Sequence, residues 1–316
     1  MPSEEAPLTE SSSPAVSVIV VTHRSAGTIG SCLESIRQFL EGIPWEVVIL
    51  DNASPDQTLS AIPPDPRVAV LASPVNSGFA TGCNRAASRA SGRNLLFLNP
   101  DARLLNFSGE LLRAFDQDPS LGAIGSWVED PNRGSLSWRR RRYEAKLPTI
   151  SGEILRWSEI SRFLVHPWLD VVSRLKEPPA RLQVGWLTGA ALLIPASVFR
   201  EVGGFDERFF LYWEDVDLGV RLARAGYRCE IWRSWKVFHD SGYVRHHVNP
   251  ELFVEKNRSQ RFLYEKMWGR VPPAIDRVRR AAQFAKGLLG EDARRRSGRI
   301  VWEEKPGQAS AGRPSR

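Results

Sequence analysis

The chain has 316 residues, 42% hydrophobic and 25% charged, and 43 Lys and Arg against 36 Asp and Glu give it a net charge of +7. This composition is typical of a folded globular protein, and it excludes a disordered, collagen-like or membrane-spanning chain. The uncharged run over residues 184–199 is too short to cross a bilayer and is interrupted by Pro195. The positive charge favours an anionic partner, which could be nucleic acid, a lipid surface or a nucleotide diphosphate.

The cysteines and the N-terminal residues bear on the cellular compartment. Cys32, Cys83 and Cys229 are odd in number and far apart, which excludes a disulfide framework and a Cys-x-x-Cys metal site. Residues 1–14 are acidic and lack the basic start and apolar run of a secretion signal, so we expect a disordered leader there. These features predict a cytoplasmic protein.

Strand and helix signals alternate over the first hundred residues. Strands are predicted over 16–21, 45–50, 68–71 and 94–98, and helices over 29–39 and 80–90. The order βαββαβ predicts an α/β fold whose mostly parallel sheet is flanked by helices. Ligands of such sheets bind beyond the carboxyl ends of the strands.

Polar side chains follow three of these strands where each strand ends. They are Thr22 and His23, then Asp51, Asn52 and Ser54, and then Asn99, Pro100 and Asp101. Each cluster alone can be explained as a turn, because Asp, Asn, Ser and Pro favour turns. Their shared position at strand ends favours a ligand-binding site instead.

The rhythm of strands and helices is lost over residues 128–183, where Arg139–Arg142 lie close to several tryptophans and prolines. An insertion or a set of mobile loops is predicted there. Order returns from residue 185, with an apolar stretch to 194 and a short helix after Pro195.

An aromatic run at 209–213 leads directly into Glu214 and Asp215, which open a predicted helix. Carboxylates in a first turn are also explained by the helix dipole. The apolar approach nevertheless favours a partly desolvated acid pair, the environment of a general base or metal ligand. His239 follows another apolar run, although a single histidine there is more often structural.

The C-terminal part is predicted to be helical over 249–290, with a basic amphipathic helix over 274–289. Residues 291–316 are rich in Arg, Gly, Ser and Pro, and we expect them to be disordered.

Several motifs in this order resemble those of the inverting family 2 glycosyltransferases, most closely the rhamnosyltransferase-like group. They are VIVVT at 18–22, DNAS at 51–54, NSGFA at 76–80 with Asn84, LNPD at 98–101, GGFDE at 203–207 and ED at 214–215. The resemblance spans about residues 16–245. It implies the GT-A fold, with a nucleotide half at about 15–127 joined without a break to an acceptor half at about 128–248.

The resemblance also implies which residues bind the sugar nucleotide. Thr22 and Asp51 are expected to line the base pocket, with Asp51 accepting the N3 hydrogen of a pyrimidine. The loop containing Asn76 and Gly78 is expected near the ribose and sugar. The remaining two donor-binding residues that we predict are Asn84 and Asn99.

A divalent metal, Mg²⁺ or Mn²⁺, is implied as the cofactor. Asp101 matches the second acid of the family's Asp-x-Asp motif, and His239 matches the histidine that often completes that site. The chain departs from the broad pattern, because Asn99 stands where the first acid is expected and leaves one carboxylate in the motif.

For catalysis, the resemblance implies that Asp215 takes the proton of the acceptor hydroxyl, with Glu214 as the second candidate. Trp186 and Trp213 are expected to form the floor of the acceptor site, where aromatic faces stack on sugar rings.

The implied activity is transfer of rhamnose from dTDP-rhamnose to a glycan or lipid-linked acceptor, by an enzyme in the cytoplasm or at the inner face of the membrane. Three alternatives compete with it. The basic runs would suit a protein that binds nucleic acid or a membrane surface, although we expect no nucleic-acid partner. A nucleotidyltransferase would need a Gly-rich basic loop after the first strand, and a catalytically inactive relative would not need Asp101, Asp215 and His239 together.

Overall fold

The computed structural model describes residues 13–129, 145–158, 165–173, 175, 177–239 and 250–288. Its first half follows the predicted order βαββαβ. The elements are β1 (Val16–Thr22), α1 (Ile29–Phe39), β2 (Trp45–Asn52), a 3₁₀ turn (Leu59–Ala61), β3 (Val68–Ser73), α2 (Phe79–Ala87) and β4 (Asn94–Leu98). This half of the prediction is confirmed.

The second half adds five strands and seven helices within the described residues. They are β5 (Ala102–Leu104), α3 (Gly109–Gln117), β6 (Leu121–Glu129), α4 (Ile150–Trp157), α5 (His166–Ser173), β7 (Arg181–Val184), β8 (Ala191–Pro195), α6 (Ala196–Glu201), α7 (Glu214–Arg224), β9 (Arg228–His239), α8 (Pro250–Trp268) and α9 (Pro273–Leu288). The predicted helices after Pro195, from Glu214 and over 274–289 are confirmed.

All nine strands form one sheet in the order β3-β2-β1-β4-β8-β6-β9-β5, with β7 paired to β9. The strands β3, β2, β1 and β4 are parallel, as predicted. Beyond β4 the sheet is mixed, because β8 runs antiparallel to both of its neighbours. The parallel part brings the ends of β1, β2 and β4 to one edge.

Strand β1 is buried on both faces, which explains its unbroken apolar sequence. Val18 and Val20 point to one side and pack in a core with Ile36 of α1. Ile19 points to the other side and packs in a second core with Cys83 of α2. Helices on both faces of the sheet therefore fix the positions of the strand ends.

An insertion over 128–183 stays a prediction, whereas the alternative of mobile loops is wrong for part of that range. It contains α4, α5 and β7, and α4 packs against α9. The buried face of α4 includes Glu153, which is 1% exposed, and the hydroxyl of Tyr264 donates a hydrogen bond to it. Because a carboxylate occupies this inward position, the helix does not show a simple apolar pattern.

Some predictions fall on residues outside the described part of the chain. These are most of the leader, the basic run Arg139–Arg142 and the tail from residue 291. The three cysteines are buried and unpaired. Among the described helices, none has the length and apolar character needed to span a bilayer.

Candidate active site

Thr22 and Asp51 lie side by side at the ends of two parallel strands, since β1 and β2 pair them in register. The Thr22 hydroxyl donates to Asp51 Oδ1 at 2.8 Å, and the Ser54 amide donates to Oδ2 at 3.0 Å. Thr22 is fully buried and Asp51 is 2% exposed. The structure thus brings the two predicted base-pocket residues together and fixes the orientation of the carboxylate.

Asn52 fixes the loop that contains Asn76 and Gly78. Its side-chain amide donates to the Gly78 carbonyl at 2.8 Å, and its oxygen accepts from the Ser77 amide at 3.0 Å. The Gly78 amide in turn donates to Asn76 Oδ1 at 3.0 Å. The sequence predicted Asn52 only as one of the polar residues at the end of β2. In the structure its buried side chain holds the neighbouring loop in place.

Gly78 allows this loop to touch the aromatic segment at 209–213. Its φ is +87°, a conformation that favours glycine, and a Cβ there would lie 2.4 Å from the Phe210 carbonyl oxygen. The amide of the next residue, Phe79, donates to that same oxygen at 2.7 Å. The loop near the predicted donor site is therefore fastened to the segment that leads into Glu214.

Asn84 joins helix α2 to the loop at 203–207. Its side-chain oxygen accepts from the Phe205 amide at 2.9 Å, while its nitrogen donates to the Phe205 carbonyl at 2.8 Å and to Glu207 Oε1 at 3.0 Å. The side chain is thus engaged within the protein, and its contact with the donor stays a prediction.

Asp101 and His239 are brought together by strand pairing, because Ala102 of β5 lies opposite His239 of β9. Asp101 Oδ1 lies 3.2 Å from His239 Nε2, and their side chains are 11% and 19% exposed. Asn99 Nδ2 lies 3.4 Å from the same histidine nitrogen. The three residues predicted to be near the metal and diphosphate therefore form one cluster.

This cluster is compatible with a divalent ion held jointly with a substrate. Neighbouring ligand atoms of a small divalent ion lie about 3 Å apart, because each is about 2.1 Å from the ion. The distance of 3.2 Å between Asp101 Oδ1 and His239 Nε2 is similar. The described residues contain no cluster of three or more His, Cys, Asp and Glu side chains suited to a metal. An ion at this position would therefore take further ligands from substrate oxygens and water.

The backbone just before helix α7 is strained. Tyr212 and Trp213 both have left-handed conformations, with φ of 68° and 71°. Such conformations cost roughly 1–3 kcal/mol for residues other than glycine and are often found at functional sites. The two residues turn the chain sharply, so that Glu214 and Asp215 enter the first turn of α7.

Asp215 and Glu214 have different surroundings although they are adjacent. Burial raises the pKa of the half-buried Asp215 to about 6, and amide hydrogens of Val216 and Gly189 limit the rise. Burial also raises the pKa of Glu214 well above its usual range, and the neighbouring Asp215 charge adds to this. Glu214 is 5% exposed, and its Oε2 has no hydrogen-bond partner in the described part of the chain. Asp215 is therefore the member of the pair that loses its proton more readily.

Backbone contacts link Asp215 to the cluster around Asp101. The Gly189 amide lies near the Asp215 carboxylate and lowers its pKa, and the next carbonyl, that of Ala190, accepts from the Asn99 backbone amide at 3.1 Å. Burial raises the pKa of the Tyr212 hydroxyl, and the charges of Glu214 and Asp101 add to this rise, so Tyr212 lies near both acids. The acidic pair and the histidine cluster therefore lie in the same region of the molecule.

Trp186 and Trp213 pack around the same small apolar cluster, formed by Phe209, Val216 and Leu263. The Trp213 ring also meets the Tyr264 ring edge-on, with centroids 6.3 Å apart. Helix α8 therefore contributes to this side of the site, which the sequence did not predict. The sequence of α8 mixes polar and apolar residues, and this pattern does not indicate that some of the polar side chains are buried.

The fold resembles that of the mannosyltransferase PcManGT from Pyrobaculum calidifontis, solved with GDP-Man and Mn²⁺. The TM-score is 0.56 at 18% sequence identity, over 90% of this chain and 78% of the other. The mixed sheet flanked by helices is therefore a GT-A fold.

Sequence comparison identifies the family. Residues 17–173 match the family described as Glycosyl transferase family 2, and residues 174–293 match the one described as Glycosyl transferase family group 2. The chain therefore belongs to the family 2 glycosyltransferases.

Characterised relatives lie in the rhamnosyltransferase-like group. The chain is 29% identical to the N-acetylglucosaminyl-diphospho-decaprenol L-rhamnosyltransferase of Mycobacterium tuberculosis, over 77% of this chain and 84% of the relative. It is also 37% identical to the rhamnosyltransferase WbbL of Escherichia coli, over 24% of this chain and 27% of that protein. The predictions of the fold, of the family and of a transferase are confirmed.

Proposed function

We propose that this glycosyltransferase moves a rhamnosyl group from dTDP-rhamnose to a hydroxyl of a lipid-linked or glycan acceptor, with inversion at the anomeric carbon. The similarity to the mycobacterial enzyme, whose name specifies a sugar-diphosphate-lipid acceptor and L-rhamnose transfer, supports this choice. The observation that carries the mechanism is the link between Asp215 and Asn99 through the adjacent residues Gly189 and Ala190.

Asp215 is the proposed base. In a single displacement, the acceptor oxygen bonds to the anomeric carbon as the bond from that carbon to the diphosphate breaks, and the hydroxyl proton passes to a base. An ionised carboxylate whose pKa is raised to about 6 suits this role at neutral pH, because it is basic enough to accept the proton and is still mostly ionised. Burial and the Asp215 charge raise the pKa of Glu214 well above its usual range, so Glu214 loses its proton less readily than Asp215.

The donor is proposed to lie across the strand ends. Asp51, held by Thr22 and Ser54, would accept a hydrogen bond from the pyrimidine base. Asp101 and His239 would hold a divalent cation together with diphosphate oxygens. When bound, such an ion neutralises charge on the departing nucleotide diphosphate. Trp186 and Trp213 are proposed to contact acceptor sugars, and peripheral contact with a membrane would bring the enzyme to a lipid-linked acceptor.

A donor screen tests this proposal. The purified protein is supplied with Mn²⁺, a lipid-linked N-acetylglucosaminyl diphosphate as acceptor, and dTDP-rhamnose, UDP-sugars or GDP-sugars in parallel. We expect acceptor-dependent release of dTDP, and a product whose anomeric configuration is opposite to that of the donor. Faster turnover of a UDP- or GDP-sugar would overturn the donor assignment, and retained configuration would overturn the single displacement.

A further inference from the structure

Helix α8 holds the strained segment that precedes Asp215. The Ser259 hydroxyl donates to the Leu211 carbonyl oxygen at 2.9 Å, and Ser259 is 3% exposed. Leu211 comes directly before the two left-handed residues, so this bond fixes the point where the sharp turn begins. Two residues before Leu211, the Phe209 ring packs edge-on against Phe262 of α8, with centroids 4.8 Å apart.

The same helix also holds the first turn of α7. Lys266 Nζ lies 2.5 Å from Asp217 Oδ1 and 2.7 Å from Asp206 Oδ2. Asp217, which is 2% exposed, is two residues beyond Asp215, and its other oxygen accepts from Arg221 Nε at 2.7 Å. Lys266 therefore joins α8 to the start of α7 on one side and to the loop at 203–207 on the other.

These contacts lie on both sides of the turn. The Ser259 bond is made before Tyr212 and Trp213, and the Lys266 ion pair is made after them. Left-handed conformations at two bulky residues persist only when the surrounding structure holds them in place. Removal of either contact would let the turn relax toward an ordinary conformation and would move the Asp215 carboxylate.

We propose that Ser259 and Lys266 are positioning residues that act through the 209–213 segment and α7 to place the Asp215 carboxylate for proton transfer. The C-terminal helix is then part of the catalytic unit, although neither side chain needs to touch a substrate. This inference rests on the proposed role of Asp215 as the base. It predicts a loss of turnover with donor binding preserved, because Thr22, Asp51 and Asn99 of the proposed donor site lie at the ends of β1, β2 and β4. The described contacts of Ser259 and Lys266 are made with the 203–217 region instead.

The test compares Ser259→Ala and Lys266→Met with the wild-type protein in the sugar-transfer assay. Displacement of a catalytic group by a fraction of an ångström to about 1 Å lowers turnover by about 10- to 100-fold. We therefore expect kcat to fall by about 10-fold or more in each variant, with the donor KM within about two-fold of the wild-type value. Ser259→Thr, which keeps a hydroxyl, should recover most of the kcat lost in Ser259→Ala.

Two control variants separate positioning from general stability. Ser158→Ala removes a hydroxyl that also donates to a backbone carbonyl, that of Leu155, but lies at the end of α4. Arg258→Ala changes a side chain of α8 that is 81% exposed. Both should keep kcat near the wild-type value. Thermal midpoints are measured for all variants, so that a loss of folded protein is not counted as a loss of turnover.

The outcomes distinguish this inference from the proposed function. If Ser259→Ala and Lys266→Met keep wild-type kcat while Asp215→Asn loses it, the positioning role is wrong and the proposed base stands. If kcat and donor affinity fall together with the thermal midpoint, and Ser259→Thr does not recover activity, the contacts only stabilise the fold. If Asp215→Asn itself keeps normal turnover, the proposed function fails first.

Discussion

At Asp215 and Glu214, burial raises the pKa values of two adjacent carboxyl groups, and the Asp215 charge raises that of Glu214 further. Asp215 is half-buried and accepts a hydrogen bond from the Val216 amide, whereas the buried Glu214 has an oxygen without a described partner. Separation of the pKa values of paired acids is a common way to give them different chemical roles. The structure therefore favours Asp215 over its neighbour, a choice that sequence alone left to resemblance.

The raised pKa of Asp215 predicts a pH dependence. Because the base must be ionised, kcat should rise with pH through a midpoint near 6 and level off above it. The stability of the fold should change in the opposite direction, because the pKa of Asp215 is higher in the folded state than in the unfolded state. Its contribution to stability is present below an unfolded pKa of 3.8 and is lost as pH rises through the folded pKa of about 6.

This dependence is measured from pH 4.5 to 8 with kcat and thermal midpoints side by side. Glu214→Gln should leave the kcat midpoint in place, because burial is the main cause of the raised pKa of Asp215 and the variant does not expose that residue. A midpoint near pH 4 would indicate a solvated Asp215 and would count against its proposed environment.

The paired residues Asp101 and His239 predict metal dependence. Asp101→Ala and His239→Ala should each weaken the apparent affinity for Mn²⁺ by about 10- to 100-fold, as is usual when a metal site loses a partner. Asn99→Asp, which adds a second carboxylate beside the histidine, should strengthen it. Activity is titrated against Mn²⁺, and binding of Mn²⁺ in the presence of dTDP is measured separately. Full turnover in excess chelator would remove the metal from the mechanism.

The proposed role of Asp51 predicts a preference for pyrimidine over purine nucleotides. Asp51→Ala removes the buried acceptor that is proposed to pair with a pyrimidine, so the advantage of dTDP and UDP over GDP in competition binding should disappear. Asp116→Ala, an exposed acid on α3, serves as the control and should keep the wild-type ranking. An unchanged ranking in Asp51→Ala would show that the base binds elsewhere.

At the scale of elements, Asn84 illustrates how a motif residue can have a structural role. It makes three hydrogen bonds between α2 and the loop at 203–207. Asn84→Ala should lower the free energy of unfolding by roughly 1–3 kcal/mol, because it leaves buried backbone groups of Phe205 without partners. Denaturant unfolding measures this, with the exposed neighbour Ser88→Ala as the control. Unchanged stability together with weaker donor binding would favour a direct contact with the donor.

The strands and helices with clear periodicity could be predicted from the sequence, and others could not. Strand β1 reads as an unbroken apolar run because both of its faces are buried. Strand β5 has three residues and exists through its pairing with β9, more than 130 positions away. That pairing brings Asp101 close to His239. Their proximity was therefore predicted from family resemblance, because no local sequence pattern indicates it.

Helix α8 marks the limit of sequence reasoning at the site. Its inward positions include the buried polar residues Asn257, Ser259 and Gln260, which in sequence look like a solvated helix face. Their surroundings are other polar groups, such as the Tyr264 hydroxyl that accepts from Gln260 at 2.9 Å. A periodicity based on hydrophobicity does not detect a helix buried in this way.

For the whole molecule, one continuous sheet joins the two sides of the site. The predicted division between residues 127 and 128 falls inside β6, which pairs with β8 and β9. Strand β8 in turn pairs with β4, whose end carries Asn99. Residues on the predicted donor side and the predicted acceptor side are therefore held by the same rigid element, which suits a reaction that needs both substrates aligned.

The central claim is that Asp215 removes the proton of the acceptor hydroxyl. The most direct measurement is kcat for sugar transfer by Asp215→Asn and Glu214→Gln, at pH 7.5 with saturating donor and acceptor. Asp215→Asn keeps the shape of the side chain and removes the base, so kcat should fall by about 10² to 10⁴-fold with little change in donor KM. Glu214→Gln should keep most of the turnover, because Glu214 is not the proposed base and the amide keeps the shape of its side chain. Near-normal transfer by Asp215→Asn, with or without loss in Glu214→Gln, would contradict the claim.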